Sequence, residues 1–425
     1  MKRPNIVLLM TDQQARCAQS ATGNPHLKTP HMDAISNAGV RFDRAYCTSP
    51  VCAPSRYSIN TGLMPHQTGV LVNDSAPRPG LTNICQLFDS AGYKTARVGD
   101  LGLDLGVDLG IHLGVHLGVH VDRPKADAAV AFINQKHDRP FFLVVPFQNP
   151  HDICFWSMGE LEPRAADRPL PELPDNFAVM DDEPEFIQRC RQRTYYGSEM
   201  SFTTSWSDED WRCYLREYYW LVEHIDIQIG RVMAALRDNA LESETLVLFT
   251  CDHGEGMAAH HWVTKLMLYE NPVSVPLSIA FPGAITPRID RRHLVSGVDI
   301  LPTLCDYAQI ELPAGLAGQS LRPVIEDEEA PGRSFVVSQL HPDPHDLEFS
   351  GRMLRTERFK YIAFSHGKNP ELLFDMQSDP GESTNLAACP DYSEPLQSHR
   401  NLLQEWMHET GDTFTAAALS TGNRR

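Results

Sequence analysis

The chain has 425 residues, of which 42% are hydrophobic and 22% charged, with 27 Gly and 31 Pro. This is the composition of an ordinary globular protein, and it excludes collagen-like, coiled-coil and wholly disordered classes. The 37 basic residues against 55 acidic ones leave a net charge of −18. A surface of this average charge repels a polyanion such as a nucleic acid, which excludes that class of partner. Any anionic substrate therefore requires a locally basic pocket.

Short apolar runs alternate with helical patterns along most of the chain, which predicts a largely parallel sheet connected by helices. The first run, Ile6–Met10, is too short for a signal sequence and predicts a buried strand. A long helix is predicted from Ser207, where S-D-E-D resembles a capping box, with an apolar stripe to Leu236. The predicted strands are residues 5–11, 93–99, 141–147, 245–251 and 276–283.

After about residue 330 the pattern changes to short strands joined by turn residues, followed by one helical pattern from about 394 to 410. We therefore expect a large N-terminal domain over residues 1–330 and a small α+β subdomain over residues 331–425, with a short antiparallel sheet and a helix. The acidic stretch IEDEEAPGR, residues 325–333, is the expected linker.

Two further expectations concern the surroundings of the protein. No stretch approaches the roughly 18 continuous apolar residues of a membrane helix, so we expect no membrane partner. The ten cysteines are scattered through a chain without a recognisable secretory signal, which favours reduced thiols and a cytoplasmic location.

Residues 100–120 repeat with a period of four, as DLGL, DLGV, DLGI, HLGV, HLGV and H. A glycine at every fourth position disfavours a helix. Two interpretations stay open: an exposed loop produced by repeat expansion, or an extended segment that lines His112, His116 and His120 along one edge.

The segment SPVCAPSRYSINTG, residues 49–62, places Cys52 where a helix can begin, with Pro54 near the first turn. A nucleophile there would lie over free backbone N–H groups, and the Arg56 guanidinium could donate two hydrogen bonds to an oxyanion. An isolated cysteine is more often a small buried hydrophobe. The functional interpretation therefore depends on the neighbouring residues.

Polar pairs follow two of the predicted strands. Asp12 and Gln13 come directly after the first strand, and Asp252 and His253 come after TLVLFTC. In α/β proteins the ligand sites gather at the carboxyl ends of parallel strands. Such a pair alone is more often a polar strand cap, but two of them at one sheet edge are candidates for a metal site.

The run Cys52-Ala53-Pro54-Ser55-Arg56, followed by Thr61-Gly62, resembles the signature of the type I sulfatases in the alkaline phosphatase superfamily. Other landmarks of that family appear in order, including NIVLLMTDQQ, NPHD, TCDHGEGM and VDILPTL. The resemblance implies an alkaline-phosphatase-like α/β fold and hydrolysis of a small-molecule or carbohydrate sulfate ester. It also implies that a formylglycine-generating enzyme converts Cys52 to formylglycine, whose hydrated aldehyde is the nucleophile.

The same resemblance implies one divalent metal, held by Asp12, Gln13, residue 52, Asp252 and His253. Calcium is the default of the family. The imidazole nitrogen in this donor set also admits Mn²⁺ or another transition ion.

For the remaining site residues, the resemblance implies that Arg56 and Lys265 hold the sulfate oxygens and that His151, in NPHD, protonates the leaving oxygen. His260 is a candidate for substrate binding, although it could equally be structural. Asn73 resembles an oxyanion-contacting Asn of the phosphonate monoester hydrolase branch.

One segment departs from the family. In most sulfatases GYKTARVG continues as Lys, an aromatic residue and His-Leu-Gly, whereas here Gly99 is followed by Asp100 and His-Leu-Gly first occurs at residues 112–114. Two alternatives to a working sulfatase therefore remain: a phosphonate monoester hydrolase or phosphodiesterase of the same fold, and a catalytically impaired binding protein. The alcohol portion of the substrate and the oligomeric state stay open.

Overall fold

The protein was analysed as a computed structural model that describes residues 3–99, 102–104, 121–192, 194–195 and 198–420. Most of the period-four repeat, with Asp100, His112, His116 and His120, lies outside the described residues. Both interpretations of the repeat therefore remain predictions.

Strands and helices alternate through most of the described chain, as predicted. The strands are β1 Asn5–Asp12, β2 Gly39–Phe42, β3 Ala45–Tyr46, β4 Lys94–Gly99, β5 Gly102–Asp104, β6 Phe141–Pro150, β7 Thr194–Tyr195, β8 Ser198–Glu199, β9 Thr245–Cys251, β10 Leu277–Ala280, β11 Arg288–Asp290, β12 Val295–Ser296, β13 Phe335–Leu340, β14 Gly351–Thr356, β15 Phe359–Phe364 and β16 Glu371–Asp375. The helices are α1 Pro30–Asn37, α2 Cys52–Thr61, α3 Pro65–Thr68, α4 Ile84–Ser90, α5 Asp122–Ile133, α6 Ile153–Ser157, α7 Glu185–Arg191, α8 Asp208–Asp238, α9 Glu270–Val273, α10 Ile300–Ala308, α11 Arg322–Glu326, α12 Ser393–Thr410 and α13 Ala417–Ser420.

The main sheet contains, among the described residues, eight strands in the order β11-β2-β10-β9-β1-β6-β4-β5. Strands β9, β1, β6 and β4 run parallel at its centre, whereas β10 and β5 pair antiparallel with their neighbours. β1 and β9 are buried along their whole length, because helices cover both faces of such a sheet and its strands can be continuously apolar. The predicted α/β fold class is confirmed.

Helix α8 confirms the longest predicted helix. Ser207 caps it, and its side chain and that of Asp210 satisfy each other's backbone N–H groups as a capping box. The apolar stripe of α8 is buried and packs on β6 and on the neighbouring helices α1 and α5. None of the helices in the described ranges is long and apolar enough to span a membrane.

The C-terminal part forms the predicted antiparallel sheet, in the order β13-β14-β15-β16, and the helix α12. The backbone N–H of Gln339 in β13 donates to the carbonyl of Thr48, 2.7 Å away. This small sheet therefore supports the segment that leads into Cys52. A division of the chain at residue 330 remains a prediction.

A buried polar cluster joins this sheet to the last residues of the fold. The Arg352 guanidinium donates two hydrogen bonds to the Asp412 carboxylate, with Nε–Oδ2 and Nη2–Oδ1 distances of 2.6 and 2.9 Å. Gln339 donates to Asp412 and lies 2.9 Å from the ring of His66 in α3. Because each partner of such a buried pair would be costly to leave unpaired, the cluster ties the C-terminal segment to both the small sheet and the α2–α3 region.

His341, beside this cluster, should make the stability of the fold sensitive to acid. Burial and the Arg352 charge lower the pKa of His341 to about 3, and its ring donates to the Leu347 carbonyl and faces Arg352. The unfolded chain takes up this proton below about pH 6.5, whereas the folded protein does so only near pH 3, so stability falls as pH falls between these values.

We expect wild type to lose about 2 kcal/mol more of its unfolding free energy between pH 7 and pH 5 than His341→Gln does. Urea unfolding at the two pH values measures this difference, and His408→Gln, which changes an exposed histidine of α12, is the control. Equal losses in wild type and His341→Gln would contradict the expectation.

Candidate active site

The carboxyl ends of the central strands bring together the polar residues that follow them. Thr11 of β1 pairs with Cys251 of β9, so Asp12 and Asp252 emerge side by side. Asp12 also pairs with Pro150 at the end of β6, which places His151 on its other side. The register of three neighbouring parallel strands thus assembles residues that are more than a hundred positions apart in the chain.

Helix α2 carries residue 52 to the same place. Cys52 is the first residue of the helix, so it lies where the first backbone N–H groups have no acceptor within the helix. Asn73 accepts one of them, that of Ala53, at 3.0 Å. The Cys52 Sγ lies 2.9 Å from the Lys265 ammonium and 3.1 Å from the Nε2 atom of His253. The structure therefore gathers Cys52, Asn73, His253 and Lys265 as predicted, although their functional roles remain predictions.

Arg56 makes a contact that was not predicted. Its guanidinium joins the two strand-end carboxylates, with Nε 2.7 Å from Asp252 Oδ2 and Nη2 2.7 Å from Asp12 Oδ2. Burial alone would raise the pKa of Asp12, but the charges of Arg56 and then Lys265 hold it well below its usual range. Asp12 is therefore an anion in the folded protein, and Arg56 fixes its position.

Asp12, Cys52, Asp252 and His253 form the one group of potential acidic, thiol or imidazole metal ligands found among the described residues. Their donor atoms all lie within 4.8 Å of one another, and all four residues are buried. The Nδ1 atom of His253 lies 2.9 Å from the Gly254 carbonyl, a contact that orients the ring and directs Nε2 towards Cys52 and the two carboxylates, as for metal-binding histidines in many proteins. These residues fit a divalent metal ion.

Gln13 adopts a different arrangement from a simple strand-end ligand. Its φ is +67°, in the left-handed region, and its backbone N–H donates to Asp252 Oδ1 at 3.1 Å. Its side-chain amide donates to Glu255 and lies 3.0 Å from the Cys154 Sγ. Gln13 thus contacts the candidate ligands through its backbone, and its predicted role as a metal ligand remains untested.

The positive charges of the site come from Arg56 and Lys265. Burial opposes the charge on Lys265, yet its pKa is raised because Cys52, Cys154 and Asp12 lie beside the ammonium. For His151, burial and then the Lys265 charge lower the pKa to about 3. The site therefore contains a lysine whose charged form is favoured next to an imidazole whose neutral form is favoured.

His260 lies away from this group. Its ring stacks on Tyr269, with centroids 4.2 Å apart, and lines a separate polar cavity of about 110 Å³ with Arg16, Glu270 and Glu382. None of the predicted metal or catalytic residues lines that cavity. The structure does not bring His260 to the site, and the alternative that it is structural fits its place in the fold.

Three further residues support the site, and sequence reasoning missed their role. Glu255 is fully buried and accepts hydrogen bonds from the Gln13 amide and from the Tyr214 hydroxyl. The hydroxyl of Tyr218, one turn further along α8, donates to the Gln13 carbonyl at 2.9 Å. The one signal in the sequence is the pair of tyrosines four residues apart on an apolar helical stripe.

Comparison with known proteins agrees with this arrangement. The family model described as Sulfatase matches residues 4–105 and 116–310, and the model described as N-sulphoglucosamine sulphohydrolase, C-terminal, matches residues 258–409. The matched ranges contain all of the site residues named above. Residues 106–115, inside the period-four repeat, lie outside both matches.

Individual relatives extend over the whole chain. The Δ4,5-hexuronate-2-O-sulfatase of Bacteroides thetaiotaomicron is 32% identical over 451 residues, which cover 100% of this chain and 92% of that protein. The solved structure of a 2-O GAG sulfatase has a TM-score of 0.86 and 31% identity, and the match covers 97% of this chain and 93% of that one.

A phosphonate monoester hydrolase from Agrobacterium radiobacter has a TM-score of 0.79 at 25% identity, with 96% of both chains covered. The phosphonate monoester hydrolases, to which Asn73 pointed in the sequence, are therefore also present among the similar structures.

The family match spans well over half of the chain, and the sulfatase relatives match it from end to end. The chain belongs to the sulfatase family, with its alkaline-phosphatase-like fold, and is a sulfuric ester hydrolase.

Proposed function

We propose that this sulfatase removes the 2-O-sulfate from an unsaturated hexuronate at the end of a glycosaminoglycan fragment, with a formylglycine made from Cys52 and one divalent metal ion. The activity part of the proposal rests on one observation: the Cys52 Sγ lies between the Lys265 ammonium and the His253 imidazole, at the start of a helix. The substrate class rests on the 32% identity, over the full chain, to the Δ4,5-hexuronate-2-O-sulfatase.

Two groups complete the site in this proposal. Formylglycine at position 52 supplies, through hydration of its aldehyde, a hydroxyl nucleophile for sulfur. A divalent metal held by Asp12, residue 52, Asp252 and His253 supplies positive charge that lowers the pKa of such a hydroxyl. The donor set of two carboxylates and one imidazole suits Mn²⁺ as well as the Ca²⁺ expected of the family.

Three residues of the chain neutralise charge on the sulfate group or position the groups around it. Lys265 neutralises the charge that grows on a sulfate oxygen, and it does so in a buried site where such a contact is strong. Arg56 holds the Asp12 and Asp252 carboxylates in place. Asn73, which accepts the Ala53 N–H, fixes the first turn of α2 and with it residue 52.

His151 protonates the leaving alcohol oxygen in this scheme. Its low pKa in the free protein follows from burial and from the Lys265 charge. A bound sulfate ester adds negative charge beside the ring and so favours the protonated imidazole. The proton passes from the imidazole to the alcohol oxygen as the sulfur–oxygen bond breaks.

A cytoplasmic location is a further part of the proposal. It is supported by the ten cysteines of the chain, all of which lie in described ranges and are free thiols. A reducing compartment would keep them in this state.

The substrate proposal is tested by comparing kcat/KM for four compounds with protein that carries formylglycine. They are a 2-O-sulfated unsaturated uronide disaccharide, a 6-O-sulfated glucosamine, an aryl sulfate and an aryl phosphonate monoester. We expect the 2-O-sulfated disaccharide to be preferred over 6-O-sulfated glucosamine by at least about a hundredfold, because a sulfate on a different carbon forces the sugar ring into another position.

Each other outcome would overturn a defined part of the proposal. Preference for 6-O-sulfated glucosamine would overturn the sugar assignment but leave the sulfatase chemistry in place. A faster reaction with the phosphonate monoester would favour the phosphonate hydrolase alternative. No turnover of any of the four compounds, by protein shown by mass analysis to carry formylglycine, would favour a binding protein.

A further inference from the structure

The loop that carries Lys265 has an unusual backbone. Between Gly256 and Leu266, all of which the structure describes, six non-glycine residues have φ between +51° and +67°: Met257, Ala258, His260, His261, Thr264 and Leu266. Residues with a Cβ disfavour this left-handed region, and it persists only where the surroundings hold it. The loop ends by placing the Lys265 Nζ 2.9 Å from the Cys52 Sγ.

Arg191, at the end of α7, holds this loop from outside. Its Nη1 donates to the His261 carbonyl at 2.8 Å, and its Nη2 donates to the His260 carbonyl, so it binds two consecutive left-handed residues. Its guanidinium also lies over the Trp262 ring, 5.0 Å from the centroid. The Trp262 indole N–H donates to the Lys265 carbonyl at 2.9 Å. A continuous set of contacts therefore runs from Arg191 to Lys265.

Glu183 orients Arg191 in turn. Its carboxylate is buried and accepts from the Nε of Arg191 at 3.1 Å and from Nη2 at 2.7 Å. The Nε and Nη2 atoms thus bind the carboxylate along one edge of the guanidinium. The Nη1 atom and the second N–H of Nη2 bind the two carbonyls along the other edge. A lysine ammonium lacks the planar fork that such a double role requires.

We propose that Arg191 and Glu183 are positioning residues for the reaction: they hold the left-handed loop so that Lys265 stays over residue 52 and meets the sulfate group. Neither side chain contacts the cluster of candidate ligands, so their effect passes through Lys265. This inference rests on the proposed function, because it takes Lys265 to be the residue that contacts sulfate.

A double-mutant cycle tests the inference. We would measure kcat and KM with an aryl sulfate, and the inhibition constant of inorganic sulfate, for wild type, Arg191→Ala, Lys265→Ala and the double variant. We expect Arg191→Ala to lower kcat/KM about tenfold in the presence of Lys265 but less than about twofold in the Lys265→Ala background. Inhibition by sulfate should weaken in the same pattern.

Controls separate this effect from loss of stability. Arg189→Ala removes another arginine of α7, one that pairs with Asp346 and lies over Phe349, and it should leave both kinetic constants near wild type. Arg191→Lys and Glu183→Gln, which are milder changes, are put through the same cycle so that the test survives if Arg191→Ala does not fold. Thermal unfolding of each variant records any general loss of structure.

The outcomes are distinct. A purely structural role predicts the same fold-change for the Arg191 variants with and without Lys265, and that result would overturn the inference. No kinetic effect of any Arg191 or Glu183 variant in the presence of Lys265 would overturn it too. If Lys265→Ala itself keeps the wild-type rate, the assignment of Lys265 in the proposed function is wrong. The inference about Arg191 and Glu183 is then also overturned, because it depends on that assignment.

Discussion

Cys52→Ala is expected to lose at least about four orders of magnitude in kcat on an aryl sulfate while keeping its fold, because the change removes the proposed precursor of the nucleophile. The alanine keeps the start of α2 intact, since Asn73 still accepts the Ala53 N–H and Arg56 still joins the two carboxylates. The loss of one buried sulfur should lower the unfolding free energy by about 1 kcal/mol. Rates and thermal unfolding of the purified variant measure both effects.

Cys305→Ala is the matched control. Cys305 is fully buried in α10, so its substitution removes a similar sulfur atom without touching the site, and activity should stay near wild type. Cys52→Ser should also be inactive when no serine-converting system is present. The hydrated aldehyde of formylglycine has a second hydroxyl, whose deprotonation would expel sulfate and regenerate the aldehyde, whereas serine has a single hydroxyl and would retain the sulfate. Full activity of Cys52→Ala would contradict the formylglycine mechanism, whereas intact-mass analysis of the wild type should show conversion of the cysteine.

Asp252→Asn is expected to lose most of the bound divalent metal and at least about three orders of magnitude in turnover. The amide keeps the shape of the side chain, and its Oδ1 can still accept the backbone N–H groups of Gln13 and His253. The variant loses the negative charge of residue 252 and the Oδ2 acceptor of the Arg56 Nε–H, which the amide NH2 cannot replace. Metal analysis of the purified protein, together with chelation and re-addition of Ca²⁺ or Mn²⁺, gives the occupancy and the identity of the ion.

A second buried aspartate distinguishes metal loss from general destabilisation. Asp299 is fully buried and paired with Arg333, much as Asp252 is paired with Arg56, but it lies outside the ligand cluster. Asp299→Asn should lower the thermal midpoint while metal occupancy stays at the wild-type level. Full metal occupancy in Asp252→Asn, or wild-type protein that carries no divalent ion, would contradict the metal assignment.

Much of the fold could be predicted because local patterns already specify it. The continuous apolar run of β1 requires a strand covered on both faces, and the stripe from Leu215 to Leu236 requires an amphipathic helix. The signature around Cys52 indicated a helix start, and Cys52 is the first residue of α2. In each case the deciding interactions lie within a few residues along the chain.

Two site residues show where such reasoning stops. Gln13 follows Asp12 directly, yet its left-handed backbone turns the amide towards Glu255 and Cys154. His260 lies between Asp252 and Lys265 in the sequence, yet its ring lines a different cavity. A dipeptide pattern places a residue near a site but says nothing about the direction of its side chain, which depends on the tertiary contacts around it.

The sequence alone determined five strands of the main sheet, the long helix after Ser207, the helix start at Cys52 and the strand-end carboxylates, because periodicity and short motifs act locally. Only the tertiary structure decided that Arg56 bridges Asp12 and Asp252, that Tyr218 holds the Gln13 carbonyl, and that Arg191 secures the Lys265 loop. These partners lie between 44 and 205 positions apart in the chain. The strand-end residues and Tyr218 meet because β1, β6 and β9 pair in one register and α8 packs across that sheet, an arrangement that follows from packing of the whole core and from no single segment.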